Sequence, residues 1–284
     1  MLHPVSVFRS ALPCLALALL LSIYPGTGVR AQNFSAMYQA SDAEVQRVTA
    51  TGFEAFRARH RSQNAAGFRL TDLETARRED GRRDFIGLYT KSPLEDHLEV
   101  AHTWSDFIVL KRAKVKEGYT MIDVTGVVLN ESDTDFYGVW VKENNPTIHK
   151  VWLLDSYESV LDRTKKMAAD RFKIKRIHVL DIPDGEPQFI VLYHFSPINR
   201  FNFLYETASY ADFEKQLRER RESKVQLIDF DRHRVGNEIH YIAVFQDGDF
   251  PTFFLSGAGI ERVEAVGDSL KTARNLKLVN LSVD

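Results

Sequence analysis

A chain of 284 residues has room for one large domain or two ordinary ones, and its 44% hydrophobic and 27% charged content excludes disordered, collagen-like and low-complexity proteins. Lysine and arginine number 37 against 39 acidic residues, a net charge of −2 with no block of one sign, so a nucleic-acid partner has no footing. The single cysteine, Cys14, leaves no basis for a disulfide framework, thiol catalysis or a cysteine zinc site.

The N-terminus reads as an address. Arg9 precedes an apolar run from Ala11 to Tyr24, Pro25-Gly26-Thr27-Gly28 breaks it, and Val29-Arg30-Ala31 supplies a small residue at a cleavage point. Residues 1–31 are thus expected to be a signal peptide cleaved after Ala31, giving a secreted or periplasmic protein. The run is short for a bilayer span, and no later stretch is long enough, so no stable membrane insertion is expected after cleavage. Cleavage would leave a cysteine-free, mildly acidic mature chain, suited to an oxidising compartment.

The remainder, residues 32–284, reads as a single repeat domain. Five stretches share one pattern of alternating apolar residues, led by Phe68, Tyr119, Phe172, Val225 and Leu276 at spacings of 51, 53, 53 and 51. Alternation of this kind predicts a half-buried strand. Phe53, Trp104, Tyr157 and Tyr210, each followed three residues later by Phe56, Phe107, Val160 and Phe213, give the apolar stripe of a helix ahead of the first four strands, and a fifth helix fits Ile260 to Ala273. Basic residues such as Arg57, Arg59 and Arg61, or Arg218, Arg220 and Arg221, are expected near the helix ends, where they suit the dipole.

A second, almost wholly apolar strand follows each of the first four: Phe85 to Tyr89, Phe136 to Trp140, Phe189 to Tyr193 and Tyr241 to Phe245. Turn residues between the strands, such as Asp80-Gly81, Asn130 to Asp133, Asp184-Gly185 and Gly236-Asn237, predict hairpins. The unbroken apolar character predicts burial on both faces, and the small residues Gly87, Gly138 and Ala243 in mid-strand are read as allowing neighbouring units to approach. The fifth unit ends after one strand, but Phe34 to Tyr38 matches the missing partner. The expected units are 41–91, 92–143, 146–195, 199–247, and 257–284 completed by 33–38. The fold class is therefore α+β, about five helix-plus-hairpin units, with the N-terminal and C-terminal strands pairing to close a propeller-like ring or at least to clasp the two ends.

The unit resembles the bacterial tandem repeat domain, a module of secreted proteins that is similar to the N-terminal region of polyglycine hydrolases. The residues carrying the resemblance are Gly67-Phe68-Arg69-Leu70 with Gly87-Leu88-Tyr89, and Gly118-Tyr119 through Val124-Thr125-Gly126 with Tyr137-Gly138-Val139-Trp140. The third and fourth units lack the leading glycine. In those hydrolases the repeats accompany a β-lactamase-like domain, for which this chain has neither room nor a Ser-x-x-Lys. The resemblance therefore implies the repeat module without its enzyme.

Linear signatures of hydrolases, phosphate-binding loops and dinucleotide-binding loops are missing from the sequence. Ser256-Gly257-Ala258-Gly259 reads as the loop into the last helix. Five-fold α/β rings also host cysteine-dependent guanidine chemistry, which the chain beyond Cys14 cannot perform. His233 and His240 flank the Gly236-Asn237 turn, and Asp231 shares their face, so these three form a candidate metal set opposed by the plainer reading of structural histidines. His178 and His194 in the third hairpin read as structural. The most systematic candidate is the polar place in each first strand: Asp72, Asp123, Arg176, Asp229 and Asn280. Around an axis these would form a ligand-binding polar ring; the plainer reading is local bonding of each to its own hairpin. No cofactor is expected. The resulting expectation is an exported, non-catalytic module that binds a protein, peptide or cell-envelope polymer. The alternatives are an exported hydrolase whose carboxylates and histidines converge from several units, or a structural subunit of an assembly.

Overall fold

The computed structural model describes residues 33–130, 133–182, 185–198, 202–236, 238–248 and 251–283. The expected leader over residues 1–31 lies outside the described residues, as do the turn residues Asp184 and Asn237. Among the described residues no helix is long and apolar enough to cross a membrane.

Strand β1 (Phe34–Ala40) is the first described element, and the order strand, helix, strand, strand then recurs. The first unit is β2 (Val45–Thr51), α1 (Phe53–Ala65), β3 (Phe68–Arg77) and β4 (Arg83–Lys91). The second is β5 (Asp96–Ala101), α2 (Trp104–Lys116), β6 (Tyr119–Val128) and β7 (Thr134–Lys142). The third is β8 (His149–Leu154), α3 (Tyr157–Ala169), β9 (Phe172–Leu180) and β10 (Gln188–Phe195). The fourth is β11 (Asn202–Thr207), α4 (Tyr210–Glu222), β12 (Val225–Val235) and β13 (Glu238–Asp247). β14 (Thr252–Ala258), α5 (Ile260–Arg274) and β15 (Leu276–Val283) complete the described chain. Together they form five three-stranded antiparallel sheets, an α+β repeat.

The expected helix-plus-hairpin unit needs one correction: a further short strand precedes each helix and pairs with the second hairpin strand, giving the orders β2-β4-β3, β5-β7-β6, β8-β10-β9 and β11-β13-β12. The apolar second strands are therefore central, which explains their burial on both faces. In the fifth sheet the central place is taken by β1, which pairs with β14 on one side and β15 on the other, placing Met37 opposite Asn280 and Tyr38 opposite Leu278. The first strand of the domain thus completes the last sheet, burying Phe34, Ala36, Met37 and Tyr38.

Each helix lays one fully buried apolar side chain on its sheet: Phe56, Phe107, Val160, Phe213 and Val263. Burial of a side chain of this size contributes about 1.5–3 kcal/mol. Thr103, Ser156 and Ser209 cap α2, α3 and α4 by accepting the backbone N–H groups of Asp106, Ser159 and Asp212. The basic residues are distributed less simply than the dipole argument expects. Arg220 and Arg221 do occupy the last turn of α4, whereas α1 runs on to Ala65 and has no base in its last turn.

The small mid-strand residues also act differently from the expectation. A Cβ at Gly87 would lie 2.7 Å from Leu70 and from Phe56, and one at Gly138 would lie 3.2 Å from Phe107. The glycines admit the aromatic residue of the unit's own helix, not a neighbouring unit. The glycine that does face a neighbour is Gly126, where a Cβ would lie 2.4 Å from Leu180 and 3.1 Å from Ile190.

Between each helix and the following strand the chain passes through the left-handed region, at Gly67, Gly118, Arg171, Lys224 and Asn275. The missing glycines of the third and fourth units are thus a change of residue without a change of backbone. At Gly118, φ is +86° and the nearest atom to an added Cβ is Pro146 Cγ at 3.9 Å, so space is available and only the backbone resists a side chain. Gly118→Ala is expected to lower unfolding free energy by about 1–2 kcal/mol in urea denaturation; an unchanged or raised midpoint would contradict this account of the hinge.

Candidate functional site

The strand that follows each helix lies at one edge of its own sheet, and these inner strands pack against one another: β3 against β6, β6 against β9, β9 against β12, β12 against β15, and β15 against β3. Each carries a bulge, at Thr71, Ile122, Lys175, Ile228 and Val279, immediately before the polar place identified in the sequence. An extra residue in one strand turns the following side chain off the regular pleat. The five side chains that follow are buried and meet.

Arg176 donates to Asp229 Oδ1 at 3.0 Å, approaches Asp123 Oδ1 at 3.4 Å and Asp72 Oδ1 at 3.8 Å, and donates to the Thr71 carbonyl. Asn280 Nδ2 donates to Asp229 at 2.7 Å and to Asp72 at 3.2 Å. All five predicted residues, Asp72, Asp123, Arg176, Asp229 and Asn280, are therefore joined in one network. The local reading does not describe them, because their second oxygens accept backbone N–H groups from a different unit: Asp123 from Leu73 at 2.7 Å, Asp229 from Ile177 at 2.6 Å, and Asp72 from Leu281 at 3.1 Å. These donors belong to the unpaired edges of the inner strands, and buried without partners each would cost about 1–3 kcal/mol.

Three carboxyls surround a single guanidinium. Burial, offset by Arg176 and by the Ile177 N–H, pushes Asp229 up to about 7. Burial also raises Asp72 and Asp123 despite Arg176. Burial opposes the charge on Arg176, but its three aspartates hold its affinity for the proton above the ordinary arginine value.

Two residues further along each inner strand, on the same face, stand Glu74, Thr125, His178, Asp231 and Ser282. Asp231 accepts from the Val179 N–H at 2.7 Å and the Ser282 hydroxyl at 2.7 Å, and its Oδ2 lies 3.3 Å from His178 Nδ1. Thr125 Oγ1 lies 3.1 Å from His178 Nε2. Burial and the negative charges of Asp231, Asp72, Asp123 and Asp229 push Glu74 well above the usual carboxylate range.

Glu74, His178 and Asp231 of this layer line a cleft of about 610 Å³ to which the second and fifth units contribute Gly126 and Val283. Arg77, Arg83 and Arg234 also line it. Arg77 and Arg83 are direct cross-strand neighbours, and burial together with the charge of Arg77 lowers Arg83 below its ordinary value. Among the described residues none of these three has an acidic ion-pair partner. Like charges directly opposite across a strand pair oppose folding, so the position favours an added anion.

The histidine candidates are distributed as follows. His233 and His240 are cross-strand partners, as the two-residue turn predicts, with ring centroids 5.3 Å apart. Asp231 shares their sheet face but is committed to His178 and Ser282. The carboxylate that reaches them is Glu206, on β11, with Oε1 at 3.2 Å from His233 Nε2 and 3.3 Å from His240 Nδ1. Nδ1 of His233 has no hydrogen-bond partner among the described residues. His194 Nε2 lies 2.7 Å from the Met121 carbonyl, a structural role.

The sequence reading passes over Glu206 because it does not identify β11, and over Glu74 because it stops at one polar place per strand. The alternation continuing two residues beyond Asp72 and Asp229 is the signal that finds the second layer. No family model matches the chain, and no curated protein matches it.

The pH dependence of the network has a definite sign. A carboxyl raised to about 7 when folded and near 3.9 when unfolded stabilises the fold fully below the lower value and loses that contribution as pH rises through the upper one. The network's own contribution is expected to be smaller at pH 8 than at pH 5 in urea denaturation, against the opposite trend from His60, His149 and His194, which burial holds neutral. Asp72→Asn removes one of the three competing acids and should shrink that difference, whereas Arg176→Met should cost about 3–5 kcal/mol at pH 8 by stranding the carboxylates. Parallel pH profiles for parent and Asp72→Asn would contradict the shared-guanidinium account.

Proposed function

We propose that the five units close into a propeller-like ring and that the protein is an exported, non-catalytic binding module whose axial cleft receives an anionic segment of a peptide, protein or envelope polymer. Closure is supported by the contact of β15 with β3, by the Leu281 N–H donated to Asp72, and by the insertion of β1 between β14 and β15. Export rests on the apolar run and small-residue junction over residues 1–31, and the repeat module on the resemblance to the bacterial tandem repeat domain. Both agree with a cysteine-free chain after residue 31.

The observation that carries the binding reading is the cleft lined by all five units, with Arg77, Arg83 and Arg234 on its wall and without acidic ion-pair partners among the described residues. Guanidinium groups are well suited to carboxylate and phosphate, which they meet with two parallel hydrogen bonds. A hydrolase is the second reading, favoured by one feature: Glu74 stands in the same cleft as the His178–Asp231 pair, a combination that offers separate acid and base positions.

Thermal denaturation of the purified chain with oligo-glutamate, oligo-lysine and anionic cell-wall fragments tests the binding reading. An anionic probe should raise the midpoint, by about 2.7 kcal/mol of stability at one hundred times its dissociation constant. Arg77→Glu combined with Arg234→Glu should remove the rise. An equal response to oligo-lysine, or a double variant that binds as the parent does, would overturn it. Turnover of a bound fragment that disappears in Glu74→Gln while binding persists would favour the hydrolase.

A further inference from the structure

We propose that Glu206, His233 and His240 form a zinc site with one coordination position open to solvent. The three residues come from three adjacent strands of one sheet, in the order β11-β13-β12. His233 and His240 face each other across the hairpin, and Glu206 is paired with Ile242, one same-face row away. Each offers one ligand atom, and these atoms all lie within 4.8 Å of one another.

The geometry suits the metal closely. Zinc holds imidazole nitrogen and carboxylate oxygen at about 2.0–2.1 Å, so two ligands on a tetrahedral ion stand about 3.3–3.4 Å apart. The distances from Glu206 Oε1 to His233 Nε2 and to His240 Nδ1 are 3.2 Å and 3.3 Å. The two imidazole nitrogens lie within 4.8 Å of each other, an edge that zinc would close towards the tetrahedral value. Two neutral imidazoles and one carboxylate also match a borderline-soft cation better than calcium or magnesium, which take oxygen ligands.

The backing is firm on one side and open on the other. The His233 side chain is 1% exposed and meets Phe189 edge-on at 5.8 Å, and Tyr157 packs against the same phenylalanine. The side chains of Glu206 and His240 are 18% and 22% exposed. Three protein ligands with a solvent-facing fourth position is the arrangement of zinc sites that accept an exogenous ligand, in contrast to fully enclosed structural sites. The site also lies apart from the axial cleft, whose lining includes none of the three residues. The proposal is thus independent of the proposed anion-binding function.

The test uses the full chain, stripped with a chelator and titrated with zinc against a chromophoric competitor. One equivalent should bind. Glu206→Gln, which keeps a hydrogen-bond acceptor for both histidines, and His240→Ala should each weaken binding by about 100-fold or more, since even residues that only support metal ligands are worth about 10–100-fold. His194→Gln should bind as the parent does. Cobalt in place of zinc should give the visible absorption of a tetrahedral ion in the parent and lose it in Glu206→Gln. Matching far-ultraviolet circular dichroism of parent and Glu206→Gln separates loss of the site from loss of the fold. Absence of stoichiometric binding, or variants at Glu206 and His240 that bind zinc as tightly as the parent, would overturn the proposal.

Discussion

The constraint on which the rest depends is the raw edge of each inner strand. A three-stranded sheet has two edges, and here one edge of every sheet faces the inner strands of other units instead of water. Its backbone N–H groups are then buried with no strand to receive them, an expensive state in a dry environment. Aspartates from other units resolve it. Asp123 accepts from Leu73, Asp229 from Ile177, Asp231 from Val179 and Asp72 from Leu281. The solution creates its own problem, since carboxylates gathered at one place repel. Arg176, which replaces an acid at the third repeat, and Asn280, which replaces one at the fifth, offset the accumulated charge. The two departures from the repeat at this position are therefore what make the repeat compatible with a buried centre.

The same arrangement generates the candidate site. Side chains two residues beyond the bulged position point the same way, so a second polar layer stacks on the first and meets open space at the cleft. Glu74 inherits the negative field of the layer beneath it, while His178 and Asp231 satisfy one another and their neighbours. The cleft is thus a by-product of how the inner edges are satisfied, with Glu74, His178 and Asp231 among its lining and Arg77, Arg83 and Arg234 beside them.

Much of this was legible in the chain. The helices holding Phe53 and Phe56, Trp104 and Phe107, Tyr157 and Val160, and Tyr210 and Phe213, and the one from Ile260, are present in the structure, because an apolar stripe at helical spacing is a strong local signal. The pairing of Phe34 to Tyr38 with the last strand was legible because a central strand is apolar on both faces wherever it occurs. The third strand of each unit was not. Asp96–Ala101 and Asn202–Thr207 are six residues long, lie at a sheet edge and bury only alternate or fewer positions, so they lack the unbroken apolar run that marks the central strands. Glu206, which stands beside His233 and His240, lies on β11 and shares that strand's weak signal. The five polar positions were legible as equivalent, but their bonding was not. Periodicity identifies which residues correspond; it carries no information on whether a side chain bonds its own backbone or that of another unit.

Native-state hydrogen exchange tests the central claim most directly, read at the amides of Leu73, Ile177 and Leu281. All three are donated to carboxylates of another unit, and the Leu281 donor joins the last unit to the first. If inner-edge satisfaction holds the five units as one closed body, all three amides exchange only through global unfolding and report the same free energy. Rapid exchange at Leu281 with Leu73 and Ile177 still protected would contradict closure, and rapid exchange at all three would contradict the role assigned to the aspartates.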